Sequence, residues 1–148
     1  MKNLDAVLER ARDECKTHGI RLTKKRQNVL TCLLMSERAI SAYQLRDFCE
    51  AQFNDKIPPK SVYRILDILQ VAGLVHKLSL TNKYVACAHI NCDHVHHDPQ
   101  FLICVKCQRV EEIGISKSVS DFLKKEAENV GFSLISPQLE INSLCHNC

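Results

Sequence analysis

Four cysteines and four histidines fall between Cys87 and Cys107, in a chain of 148 residues that holds nine and seven of them in all. The segment reads Cys87-Ala-His89-Ile-Asn-Cys92-Asp-His94-Val-His96-His97 and then, four residues on, Leu102-Ile-Cys104-Val-Lys-Cys107. Thiolate sulfur and imidazole nitrogen are both transition-metal donors, so one use of such a cluster is a metal site. A second Cys-x-x-Cys, Cys145-His146-Asn147-Cys148, ends the sequence. The reading is a metal-sensing protein whose other parts are positioned by metal bound here.

Four thiolates hold zinc tetrahedrally, and each short pair makes a turn that aims both sulfurs at one point. The 37 residues between Cys107 and Cys145 exceed the roughly 15–20 of a simple zinc ribbon. A strand, a helix and a returning strand can still bring Cys145 and Cys148 beside Cys104 and Cys107. The competing use is a redox dithiol, but no thioredoxin-like βαβ pattern surrounds either pair, so structural zinc is expected. His76, Cys87, His89, Cys92, His94, His96, His97 and the acidic pair Glu111-Glu112 remain as a mixed set, one that suits zinc and permits exchange. Nucleophilic catalysis by Cys87 or Cys92 lacks an orienting partner or an oxyanion signature.

Around these ligands, 45% apolar and 25% charged residues describe a globular chain. An odd cysteine count without an apolar leader argues against a secreted disulfide framework and for reduced thiols, so a cytoplasmic location is expected. No apolar run is long enough to span a membrane. The net charge of +3 conceals an asymmetry. Residues 1–83 carry 15 Lys and Arg against 9 Asp and Glu, whereas residues 84–148 carry 5 against 8. A basic, cysteine-poor half followed by an acidic, cysteine-rich half implies two modules, the first suited to a polyanion.

The basic half reads as helices. Leu4, Val7, Leu8, Ala11 and Cys15 recur at helical spacing up to a stop at Gly19. Thr23 caps a second helix with Val29, Leu30, Leu33 and Leu34 inward, and Ser41 opens a third with Leu45, Phe48 and Cys49 inward. Cys32 and Cys49, like Cys15, take inward positions and read as small core residues. Pro58-Pro59 sets an extended start to a fourth helix that buries Val62, Ile65, Leu66 and Leu69. Its opposite face carries Lys60, Ser61, Tyr63, Arg64 and Asp67. Two short strand-like runs follow, Leu74–Leu78 and Lys83–Val85. This order is that of a winged helix-turn-helix domain whose fourth helix enters the major groove. Arg64 can donate to guanine and Tyr63 can reach phosphate or a thymine methyl. Lys24, Lys25, Arg26, Lys77 and Lys83 would neutralise phosphates.

The second half reads as β-β-α-β. Two strands flank the Cys104–Cys107 turn, and Ser116 or Ser118 caps a helix with Val119, Phe122, Leu123, Ala127 and Val130 inward. A last strand over 132–144 is interrupted by Pro137. About 60 residues bury too little apolar surface alone, which calls for a structural metal or a partner.

Arg21-Leu22-Thr23 with Arg26, Ser61-Val62-Tyr63-Arg64, Gly73-Leu-Val-His76-Lys77 and the two Cys-x-x-Cys pairs together resemble the ferric uptake regulator (Fur) family, in particular its zinc uptake regulator (Zur) branch. The resemblance covers essentially the whole chain. It implies an α+β protein: a winged helix-turn-helix DNA-binding domain over 1–83, a hinge and metal-binding loop over 84–98, and a small α/β dimerisation domain over 99–148. It implies a homodimer that binds double-stranded operator DNA when metal-loaded, as a repressor of zinc uptake genes, with no small-molecule substrate and no enzymatic activity.

By the same resemblance each chain would hold two zinc ions. Cys104, Cys107, Cys145 and Cys148 would form the structural site, and His76, Cys87, His97 and Glu112 the regulatory one. His89, Cys92, His94 and His96 stand as alternative or additional ligands. Tyr43, Tyr63 and Arg64 would be base-side contacts beside Lys60 and Ser61, with Arg21 reaching toward a minor groove. Zinc is preferred over iron, manganese or a peroxide signal for two reasons. Val130 stands where iron-sensing members usually place a histidine, and Cys87 adds a soft thiolate. A zinc-dependent enzyme is the rival from another class, but it leaves the basic half without a role.

Overall fold

The computed structural model describes residues 3–90, 99–135 and 138–148. The chain divides into two compact units, Met1–Asp93 and His94–Cys148.

In the first unit the local signals act as the sequence suggests. Helix α1 (Leu4–Thr17) starts at Asn3, whose side chain accepts from the Asp5 N–H. It ends where Gly19 adopts φ +68°, with the Ile20 N–H bonded back to the Cys15 carbonyl at 2.8 Å. Thr23 caps α2 (Lys24–Met35) by accepting from the Arg26 N–H. Ser41 and Gln44 form a reciprocal capping box at the start of α3 (Ala42–Phe53). Helix α4 (Pro59–Val71) takes Pro59 as its first residue after an extended Pro58. Strands β1 (Val75–Leu78) and β2 (Lys83–Ala86) pair antiparallel, and Ile40 bridges to Tyr84 through two backbone bonds of 3.1 and 2.8 Å. This is a winged helix-turn-helix unit.

Helix α2 is buried over most of its circumference, from Asn28 to Leu33, and packs against α1, α3, α4 and β2. One continuous core runs from Val7 through Leu30, Leu45 and Leu66 to Tyr84, Cys87 and Ile90. Helix α4 contributes Val62, Ile65, Leu66 and Leu69 to this core, so its other face is turned outward.

The second unit is a three-stranded sheet in the order β4-β3-β5, followed through by one helix. Strand β3 (Gln100–Cys104) is central, antiparallel to β4 (Val110–Ile113) and parallel to β5 (Leu139–Ser143). The last strand is shorter than the 132–144 expected. β3 offers only five residues to pair with, and the register Gln100↔Leu139 to Cys104↔Ser143 uses all of them. The buried Gln100 side chain accepts from the Leu139 N–H at 2.7 Å and fixes where β5 begins. Pro137, read as an interruption of this strand, lies outside the described residues.

Helix α5 (Lys117–Asn129), capped by Ser116, departs from expectation in a different way. Its periodic apolar residues were expected to face inward, yet none of its residues is buried. Val119, Phe122 and Val130 are 47%, 60% and 71% exposed. The stripe is amphipathic as the spacing implies, but among the described residues no second layer of the unit covers it. Among the described residues, no helix is long and apolar enough to cross a membrane.

Candidate metal centre and nucleic-acid interface

Cys104 is the last residue of β3, and the turn after it is closed by backbone. The Gln108 N–H reaches the Cys104 carbonyl at 3.0 Å, and the Cys104 N–H reaches the Arg109 carbonyl at 2.9 Å. Gln108 accommodates the reversal with φ +65°. The parallel neighbour β5 carries the chain directly to Cys145, and the Val105 N–H to Ser143 carbonyl bond of 2.9 Å extends that ladder past the strand ends. A second turn, closed by the Cys148 N–H on the Cys145 carbonyl at 3.0 Å, presents Cys145 and Cys148 together. The 37-residue gap is therefore spanned as two strands and a helix, with both turns at the same end of the sheet.

The four sulfurs of Cys104, Cys107, Cys145 and Cys148 all lie within 4.8 Å of one another. Cys107 and Cys145 sulfurs are 3.7 Å apart, and Cys145 and Cys148 sulfurs 3.4 Å. Ligands ~2.3 Å from a tetrahedral zinc ion are separated by about 3.8 Å, so the cage fits that ion without rearranging the backbone. The electrostatics fit as well. Backbone N–H groups of Cys107 and Cys145 hold the Cys104 thiol down at about 6, the second of them donating to its sulfur at 3.4 Å. Cys148 is pushed up to about 12, chiefly by its bonds to the Cys145 and Cys107 side chains. A ligand set that already holds one thiolate at neutral pH needs a cation to release its remaining protons.

The first unit contributes a second donor pair. His76 is the second residue of β1, and Cys87 directly follows β2, where its N–H bonds to the Leu74 carbonyl at 2.8 Å. The hairpin thus places a His76 ring nitrogen within 4.8 Å of the buried Cys87 sulfur. In the second unit Glu111 and Glu112 alternate across β4. Glu111 is exposed and bonded by the Arg109 guanidinium at 2.6 and 3.2 Å, whereas Glu112 is half-buried opposite Phe101. His97, Cys92, His94 and His96 lie outside the described residues; His89 is half-buried in the turn after β2. None of the eight described cysteines is in a disulfide.

The outward face of α4 presents Lys60, Tyr63 and Arg64 to solvent, with Ser61 half-buried at its edge. Tyr43, 56% exposed at the start of α3, has the Arg46 guanidinium over its ring at 5.5 Å. Arg21, Lys24 and Lys25 are exposed around the α2 N-terminus. Arg26 is tied down there, since its guanidinium donates to the Arg21 carbonyl at 2.7 Å. That bond fixes the approach of Arg21, a local role that charge counting does not reveal. Lys77 sits 6.0 Å above the Tyr84 ring.

A winged helix-turn-helix unit with a basic outward helix, and a β-sheet unit that closes a four-cysteine cage, together define a metal-responsive DNA-binding regulator. The ferric uptake regulator family model matches residues 17–142, and the chain belongs to that family. The zinc uptake regulation protein of Escherichia coli (strain K12) is 35% identical over 142 residues, covering 96% of this chain and 81% of that protein. The ferric uptake regulation protein of Synechocystis sp. (strain ATCC 27184 / PCC 6803 / Kazusa) is 29% identical over 135 residues, covering 89% and 79%. Among solved structures, a zinc uptake regulator complexed with zinc and DNA is similar with a TM-score of 0.84 at 33% identity, covering 100% of this chain and 96% of that one. Holo XcZur is similar with a TM-score of 0.79 at 34% identity, covering 98% and 97%. Members of the family are transcription regulators and not enzymes.

Proposed function

We propose that this chain is a zinc-responsive repressor that binds operator DNA as a homodimer and controls zinc uptake genes. The observation that carries the choice of metal is the wing itself: a histidine nitrogen and a buried cysteine sulfur held within 4.8 Å of each other by the β1–β2 register. Sulfur beside imidazole suits zinc, whereas manganese(II) prefers oxygen donors and non-haem iron(II) a set of histidines and carboxylate. His97 and Glu112 complete the regulatory set in this reading, and the four-cysteine cage takes a second, structural zinc. Likeness to a zinc uptake regulator solved with zinc and DNA supports the same choice.

Each part of the chain has a stated task. Cys104, Cys107, Cys145 and Cys148 tie the ends of β3 and β5 together, which compensates for the small core of the second unit. Zinc would be held by Cys104, Cys107, Cys145 and Cys148 in one site and by His76, Cys87, His97 and Glu112 in the other, and when bound would supply a cross-link among the donors of each set. Arg64 and Tyr63 read bases from α4, Tyr43 and Lys60 border them, and Arg21 reaches the adjacent minor groove. The exposed apolar face of α5 is where a second copy would dock, setting two α4 helices against successive major grooves.

The test is operator binding against a panel of buffered free metals, with metal analysis of the purified protein. Zinc should promote binding at the lowest free concentration, and Cys87→Ser should lose that response while retaining one zinc per chain. Cys104→Ser should lose the retained zinc and melt at a lower temperature. A Cys87→Ser protein with an unchanged zinc response, or a wild-type protein answering first to iron or manganese, would refute the assignment.

A further inference from the structure

The first unit holds a pair of thiols that the zinc chemistry does not use. Cys32 lies in the last turns of α2 and Cys49 in the last turns of α3, and both are fully buried. Residue type and helical position mark each as a small core residue. The fold adds that their sulfurs are 3.3 Å apart, while the Cys49 sulfur also lies 3.9 Å from the Asn28 carbonyl. A disulfide needs ~2.05 Å, so about 1.2 Å of approach separates this contact from a covalent bond. The two helices are packed directly on each other, and α4 rests on both.

We propose that Cys32 and Cys49 form an oxidisable dithiol that hydrogen peroxide converts into a disulfide stapling α2 to α3 beneath the recognition helix. The step balances in two stages. One thiol attacks a peroxide oxygen, becoming a sulfenic acid as the O–O bond breaks and one water leaves. The second thiol's sulfur then attacks that sulfenic sulfur, the S–S bond forms, and its proton departs with the hydroxyl as a second water. Two thiols are oxidised by two electrons and one peroxide is reduced to two waters. Peroxide is hardly larger than water and needs only a local opening of the helix pair to enter. The product closes a 17-residue loop, which restricts the unfolded chain and stabilises the unit. The four-cysteine cage is a separate thiol population, so zinc loading distinguishes the two.

The experiment uses the full-length, zinc-loaded protein. It is treated with hydrogen peroxide, its remaining thiols are alkylated, and it is digested with trypsin without reduction. Trypsin cuts after Arg26, Arg38, Arg46 and Lys56, which puts Cys32 and Cys49 in separate peptides, residues 27–38 and 47–56. The expected product is these two peptides joined, two hydrogens lighter than their sum and separated again by dithiothreitol. Oxidised protein should retain its zinc and melt higher by about 10 °C. Cys49→Ala and Cys32→Ala should each abolish the joined peptide and the rise in melting temperature. Should either variant fail to fold, the wild-type peptide map decides alone. Recovery of both peptides separately alkylated after oxidation would overturn the proposal. So would a joined peptide seen only in denaturant, or oxidation confined to Cys104, Cys107, Cys145 and Cys148 with loss of zinc.

Discussion

At the scale of single residues, the four cage cysteines differ although their side chains are identical. Cys104 accepts N–H bonds that stabilise its thiolate, and Cys148 shares its proton with neighbouring sulfurs. In the zinc-free protein these shifts oppose each other across pH. A depressed folded value, as at Cys104, stabilises the fold above the ordinary thiol value of about 8.5, and this contribution disappears as pH falls through about 6. A raised value, as at Cys148, stabilises the fold below about 8.5 and loses that contribution as pH climbs toward about 12. Denaturant midpoints of the reduced, chelator-stripped protein should therefore peak between roughly pH 8 and 9. A flat profile from pH 5 to 10 would show that these bonds do not persist without metal. The outward residues of the first unit differ among themselves as well. Arg64→Ala should cost ~1–3 kcal/mol on operator DNA and far less on scrambled duplex. Lys24→Ala should weaken both duplexes alike and lower the salt slope by about one phosphate. Titrations at two or three salt concentrations separate these outcomes.

At the scale of elements, the starts of helices are set by single side chains whose bonds are visible in the structure. Ser41 accepts from the Gln44 N–H at 3.2 Å, and the Gln44 side chain accepts from the Ser41 N–H at 2.9 Å. Ser41→Ala removes one half of this reciprocal cap and should destabilise the first unit by about 1 kcal/mol, readable as a drop of several degrees in melting temperature. Gly at position 41 should recover most of that loss, since it restores the extended backbone without the side-chain bond. Such signals made the first unit legible: Thr23, Ser41, Pro58-Pro59 and Gly19 each act locally, within four residues of where they stand. Facts that depend on what lies across space were not legible in the same way. The periodicity of α5 reveals an apolar stripe but not whether its own unit covers it, and Val119, Phe122 and Val130 are left exposed. The length of the final strand depended on β3, 39 residues earlier, and on the Gln100 bond to Leu139. Cys32 and Cys49 were each readable as core, whereas their 3.3 Å approach is a property of how α2 crosses α3. The cage cysteines were legible because Cys-x-x-Cys is itself a local turn, and only their convergence required the parallel β3–β5 pairing.

At the scale of the whole molecule, the charge asymmetry and the exposed α5 stripe point to different partners. The basic N-terminal half offers α4 to a polyanion, and the second unit leaves Phe122 60% exposed. Replacing Phe122 by Glu places a charge in the centre of the proposed dimer contact. Sedimentation should then show a monomer whose secondary structure and cage zinc are unchanged, since no residue of α5 is buried within the single chain. The stronger prediction concerns coupling between the metal and the DNA. If zinc at His76, Cys87, His97 and Glu112 favours the arrangement that operator DNA selects, then operator DNA must favour zinc by the same factor. The two affinities are measured independently, one by titrating DNA at fixed free zinc and the other by titrating zinc with and without operator. Agreement between the two ratios is required whatever the path of the change, and a factor of roughly 5–150 is expected for a coupling of 1–3 kcal/mol. Cys87→Ser should reduce both ratios to one together. A Cys87→Ser protein in which both ratios kept their wild-type values would show that the pair on the wing serves a site other than the sensor.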